Sequence, residues 1–186
     1  MTEETKKILG PLAGLVGTWK GDKGNDISPE PDGTEENPYY ETIKFEAVGD
    51  LTNAEEQVLA VVRYLQIVCR KSNNEVFHDE TGYWMWCAQS GEIMQSFAIP
   101  RGVAVVAHGE LAYPNAEELV FKVSAAQEES DRCMSQTKFM WQKAKTLGFD
   151  HTMTLKGDTL SYQETTLLEI YGRQFEHTDQ NVLTRV

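Results

Sequence analysis

Four histidines are the natural starting point for chemistry in this chain: His78, His108, His151 and His177. No two of them have the His-x-x-x-His or His-Glu-x-x-His spacing that places two imidazoles on one helical face around zinc, which argues against a zinc hydrolase. His78 sits in Phe77-His78-Asp79-Glu80, ahead of an aromatic run, and reads as a residue that hydrogen-bonds locally at the start of a strand. His108 ends an apolar strand before Gly109. His151 alternates with Phe149 and Met153 and reads as a core histidine with a partner. His177 stands in the polar C-terminal segment 173–186. A lone histidine of this kind can act as the single axial ligand of a haem iron when it points into an apolar pocket. Nucleophilic catalysis finds no support, because neither a Gly-x-Ser-x-Gly elbow nor a Cys-His signature occurs. Carboxylates are plentiful, but their spacing singles out no acid–base pair.

The bulk properties narrow the partners. The 186 residues carry 29 acidic and 17 basic side chains, for a net charge of −12. Nucleic acid is excluded as a partner, since phosphate binding needs a basic stripe. An anionic membrane surface is disfavoured for the same reason. The aromatic run Gly82-Tyr83-Trp84-Met85-Trp86 therefore reads as core or cavity wall rather than as a base-stacking platform. Cys69, Cys87 and Cys133 are odd in number and widely spaced, which suits a reducing compartment. The N-terminus lacks the apolar stretch of a signal peptide, and no run of about 18 apolar residues occurs. The expectation is a cytoplasmic protein without a membrane span.

The elements that must position these residues are strands. Residues 3–16 read as a short helix interrupted by Gly10, Pro11 and Gly14. From Gly17 onward, short runs rich in Val, Ile, Tyr, Phe, Trp and Thr recur between turn residues. They predict strands near 17–21, 39–48, 57–70, 76–88, 91–99, 102–109, 117–124, 132–143, 149–156 and 159–170. Phe149, His151, Met153 and Leu155 share one face of a strand, as do Leu160, Tyr162, Thr166, Leu168 and Ile170, with Glu164 as a polar exception. Gly157-Asp158 suits a tight hairpin, and closely joined strands are antiparallel. Residues 22–38 are polar and rich in Pro and Gly, and read as a long insertion loop. The prediction is an all-β, single-domain chain (1–186). It forms an antiparallel up-and-down barrel of about ten strands, lipocalin-like, with a short N-terminal helical turn. Ten strands enclose more volume than a barrel of eight, leaving room for an apolar ligand.

Several segments in order resemble the nitrobindins, haem-binding β-barrels related in shape to the fatty-acid-binding proteins (FABP). Gly17-Thr18-Trp19-Lys20-Gly21 resembles the start of their G-x-W-x-G-x-G signature. Phe77 through Trp84 resembles their mid-chain segment. Ala98 through Gly109 resembles their Pro-x-Gly hairpin. Gly157 through Tyr162, followed by His177 and Leu183 through Val186, resembles their last hairpin and tail. Lys23 stands where the third glycine belongs, with Gly24 one residue late, and Glu176-His177-Thr178 replaces the usual Pro-His-Leu. The resemblance implies a ten-stranded barrel, haem b as cofactor, and His177 as proximal ligand of its iron. It also implies a peroxynitrite isomerase-like activity, in which a ferric haem binds nitric oxide or isomerises peroxynitrite to nitrate. The alternative is a haem-free binding protein for a fatty-acid-like or other apolar small ligand. A third reading has His151, Glu164 or Arg132 converging inside the same cup for a different chemistry. Partners are thus haem or an apolar small molecule, with a homodimer left open.

Overall fold

The structure, a computed structural model, describes residues 1–127 and 134–186. Helix α1 (Glu3–Leu9) begins at Thr2, whose hydroxyl accepts from the Thr5 amide, and runs into a 3₁₀ turn (Gly10–Leu15) that starts with Pro11. Ser and Thr caps satisfy amides left open at a helix start, and proline suits the first turn. The strands are β1 (Gly17–Glu30), β2 (Gly33–Asn53), β3 (Gln57–Arg70), β4 (Val76–Cys87), β5 (Glu92–Ile99) and β6 (Val103–Glu110). They continue as β7 (Glu118–Ala126), the three-residue β8 (Met134–Gln136), β9 (Ala144–Lys156), β10 (Thr159–Ile170) and β11 (Arg173–Arg185), with helix α2 (Lys138–Lys143) between β8 and β9. All described pairings are antiparallel. The order β5-β4-β3-β2-β1-β11-β10-β9-β7-β6 closes through a β5–β6 pairing into a ten-stranded barrel, and β8 pairs beside Val103–Val105 of β6. Among the described residues no helix is long and apolar enough to cross a membrane.

Ten strands were expected and ten close the barrel, but three segments differ from the sequence reading. Residues 22–38 are not a loop. They form most of the β1–β2 hairpin, paired from Gly24↔Tyr39 to Glu30↔Gly33. Its inward residues include Asp26, Asn37 and Glu41, so the hydrophobic alternation that marks a strand is absent. Residues 173–185, read only as a tail, form β11, whose inward face is again polar at His177, Asp179 and Asn181. The strand expected at 132–143 is the short β8 followed by α2, because Thr137 caps a helix by accepting from the Met140 amide. Arg132 and Cys133 lie outside the described residues.

The displaced glycine of the first strand has a structural cause. The β1–β2 register shifts between Gly21 and Gly24, so a β-bulge absorbs one extra residue. The bulge sets Gly24 against the face of Tyr39, where any Cβ would overlap the ring. Gly21 is also closely placed, against Asn181, Val182 and Leu183 of β11.

The interior is layered along the barrel axis. At one end Leu9, Leu12 and Leu15 of the N-terminal plug pack with Trp19, Phe45, Val62, Trp84 and Leu160 into a dry core. Trp19 donates its indole N–H to the Leu15 carbonyl at 2.7 Å, tying β1 to the plug. A belt of buried polar side chains follows. Beyond it the barrel opens into a cavity. Position along one strand sets the layer. On β10, Leu160 is in the core, Tyr162 in the belt, and Thr166, Leu168 and Ile170 line the cavity.

Because Gly24 holds Tyr39 by leaving space, Gly24→Ala should lower stability by about 1–3 kcal/mol, the usual cost of overpacking. Chemical denaturation should show it as a lower midpoint with an unchanged slope.

Candidate functional site

The cavity has a volume of about 310 Å³, at the small end of the roughly 300–1,000 Å³ range of small-molecule pockets. One wall is apolar: Phe97 and Ile99 of β5, Val103 and Val105 of β6, Phe149 of β9 and Leu168 of β10. The opposite side is built from β1, β3, β4, β10 and β11 and carries the charge. It presents four carboxylates (Asp26, Glu80, Glu164 and Asp179), the imidazoles of His78 and His177, and Arg70. Arg101, exposed, completes the lining and donates to the Phe77 carbonyl at 2.9 Å. Arg70 stacks on Phe77 with its guanidinium 4.4 Å from the ring centroid and donates to Asn37 Oδ1 at 3.2 Å.

His177 enters the cavity wall from β11. Its Nε2 lies 2.5 Å from Asp26 Oδ1 and 3.4 Å from Asp179 Oδ2. Asp26 is fixed from behind by Asn37, which donates to its other oxygen at 2.8 Å. Burial works against a charged His177, but the hydrogen bond to Asp26 and the two nearby carboxylates outweigh it and raise its pKa. Burial also opposes ionisation of Asp26, and the His177 hydrogen bond reverses that, leaving its pKa below the ordinary value. The two make an ion pair. Asp179 is pushed up to about 6, chiefly by burial.

The belt beneath is a set of linked hydrogen bonds, open at His151 Nε2, which is buried without a partner among the described residues. Glu41 is 2% exposed and accepts from Asn181 Nδ2 and Gln66 Nε2, each at 2.7 Å. Burial nonetheless lifts its pKa to about 7. The Tyr39 and Tyr162 hydroxyls meet at 2.7 Å. Tyr64 donates to Glu80 and accepts from Gln95 Nε2 at 2.8 Å. Gln95 therefore presents its carbonyl oxygen to His151 Nδ1 at 2.8 Å, which fixes the proton on Nδ1. Burial depresses the His151 pKa to about 3, so the ring is neutral. Glu164, in the cavity wall, is different. Among the described residues no hydrogen bond reaches it, and its Oε2 is 4.0 Å from His151 Nδ1. Burial first, then the nearby carboxylates, hold its pKa well above the ordinary value.

Of the residues singled out in the sequence, His177, His151 and Glu164 all face the interior. His78 belongs to the same site, with its Nε2 3.5 Å from Glu80, rather than serving only as a local strand-start residue. His108 lies away from the cavity, 3.4 Å from Glu92. Sequence reasoning missed Asp26, Asn37, Tyr39, Glu41, Glu80 and Asp179. The available signal was period two: Asp26/Ser28, Asn37/Tyr39/Glu41 and His177/Asp179 each alternate as strand neighbours do.

Fold and cavity together define a closed β-barrel with a cavity of small-molecule size at one end. The sequence matches the family described as THAP4-like, heme-binding beta-barrel domain over residues 8–185, and the chain belongs to that family. The crystal structure of Rv2717c from M. tuberculosis is similar, with a TM-score of 0.71 at 19% identity, covering 100% of this chain and 99% of that one. At that identity the likeness concerns the fold. No curated protein matches the chain.

The family description implies haem, and the donor set tests whether it fits. A haem-ligating imidazole offers one bare nitrogen to iron while its other N–H binds a carbonyl or carboxylate. In His177 it is Nε2 that carries the carboxylate contact, to Asp26 Oδ1 with Asp179 beside it, and among the described residues no hydrogen bond reaches Nδ1. Two further acids, Glu80 and Glu164, share the lining. His177 thus keeps the one-free-nitrogen pattern of a haem ligand, while the four acids of the lining set this cavity apart from an apolar haem pocket.

Glu41 gives a pH test. Its pKa is about 7 folded against an ordinary 4.5, so the folded state prefers the proton. The stability this confers is complete below pH 4.5 and is lost as pH rises through about 7. The wild type should lose up to a few kcal/mol relative to Glu41→Gln across that window, read from denaturation curves at a series of pH values.

Proposed function

We propose that this barrel is a binding protein for a small amphipathic molecule with an apolar body and a cationic or hydrogen-donating head, an alkyl or aryl amine being the simplest form. The observation that carries this is Glu164, a carboxyl in the wall of the cavity that no described residue satisfies. A half-buried carboxyl with no donor among the described residues is only partly compensated, and a ligand N–H that covers it supplies the missing hydrogen bond. The apolar wall from Phe97 to Phe149 receives the body of the ligand. The four carboxyl groups of the lining disfavour a fatty acid, whose own carboxylate would crowd a further acid into a desolvated site.

A second reading is haem on His177, its open coordination position taking nitric oxide or peroxynitrite. Family membership and the inward placement of His177 favour it. It calls on Nδ1, the ring nitrogen that Asp26 does not hold, or on release of Nε2 by Asp26.

Matched ligands separate the readings. Alkyl and aryl amines should bind saturably and raise the melting temperature, fatty acids of equal length should not, and Glu164→Leu should abolish the shift. Equal binding of amines by wild type and Glu164→Leu would overturn the amine reading. Hemin titration in parallel should give no one-to-one complex. A saturable haem spectrum lost in His177→Ala would replace the amine reading with the haem one.

A further inference from the structure

We propose that Asp26, His177 and Asp179 form a binding site for a divalent transition-metal ion, independent of any porphyrin. The three ligand atoms lie within 4.8 Å of one another. Asp26 is on β1, and His177 and Asp179 are on the neighbouring β11. The strand register sets Asp26 directly opposite Asp179, with both side chains in the cavity wall. Like charges facing each other across a pair of strands destabilise a sheet, and burial removes the water that would screen them. His177, two residues before Asp179 on the same face, brings one positive charge to two carboxylates. Its single Nε2–H serves only one of them at a time. A dication satisfies all three groups at once.

The ligand chemistry sets the class. One imidazole with two carboxylates is a nitrogen and oxygen set, suited to Zn²⁺, Mn²⁺ or Fe²⁺ rather than to a thiophilic ion. Ligand atoms held at about 2.0–2.2 Å from such an ion stand roughly 3–3.5 Å apart. The His177–Asp179 separation of 3.4 Å already meets that spacing, and the shorter His177–Asp26 contact lengthens when the ion replaces the shared proton. Outer partners are in place. Asn37 donates to the oxygen of Asp26 that faces away from His177, as hydrogen bonds around metal ligands commonly orient them. Three protein ligands leave the remaining coordination positions open to water or to a ligand in the cavity. Ser28 and Pro29 of β1 line the same stretch of cavity.

The inference does not rest on the amine reading, since the two use different residues. The test is a titration of tag-free, chelator-stripped protein with Co²⁺ and with Zn²⁺, followed by calorimetry and, for Co²⁺, by visible absorption. The wild type should saturate near one equivalent. Asp26→Asn, Asp179→Asn and His177→Ala should each weaken binding by at least about tenfold, and His177→Ala should change the cobalt spectrum by removing its nitrogen ligand. His108→Ala, away from the cavity, should bind as the wild type does. The two near-isosteric Asn variants preserve shape, and far-UV circular dichroism confirms the fold of each protein used. Absence of saturable binding in the wild type, or equal binding in the three folded site variants, would overturn the proposal. Loss of amine binding in Glu164→Leu with an unchanged cobalt titration separates the two sites.

Discussion

A closed sheet turns every second side chain inward, and in a ten-stranded barrel the inward side chains do not fill the space they surround. The rest of this structure is an answer to that constraint. At one end a helical plug adds Leu9, Leu12 and Leu15 to the inward-facing Trp19 and Trp84, and the volume is filled. At the other end nothing comparable enters among the described residues, and a cavity of about 310 Å³ remains. Closure also removes the sheet edges, which open sheets must otherwise protect.

The polar belt separates these two regimes. Burying Glu41, Gln95, His151 and Asn181 would be destabilising for isolated groups, but each has a partner within the belt. His151 is the informative case. Its Nδ1 proton is committed to Gln95, whose amide is committed to Tyr64, whose hydroxyl proton is committed to Glu80. Such a chain specifies one arrangement and holds the cavity floor rigid. Above it the accounting becomes incomplete. Glu164 has no donor among the described residues, and Asp26 and Asp179 share one histidine. His151 Nε2 and Trp86 Nε1 are also buried without a partner among the described residues, but Glu164, Asp26 and Asp179 lie in the wall of the cavity, where an incoming ligand can reach them.

Family membership and site chemistry thus speak to different levels. The match over residues 8–185 concerns the barrel and its closure. What occupies the barrel is decided by a few inward positions at one end, and folds of this kind host many functions by changing such positions. Here those positions carry acids around His177.

The strands whose inward faces are apolar were legible in the sequence, because alternation of Phe149, Met153 and Leu155 or of Leu119, Phe121 and Val123 has no other economical explanation. So were the barrel, the N-terminal plug and the inward direction of His151; the count of ten included 132–143 in place of β11, and His177 entered only through the family resemblance. The strands that build the site were not. Residues 22–38 and 173–185 put Asp26, Asn37, His177 and Asp179 inside, and a strand with a polar inward face carries the composition of a loop. Only closure of β1 against β11 brings Asp26 opposite Asp179 and within reach of His177 across about 150 residues of chain. The sequence by itself determined the class of fold, through local periodicity. Tertiary structure alone decided which acids meet the histidine, because that meeting depends on long-range register, to which local pattern is blind.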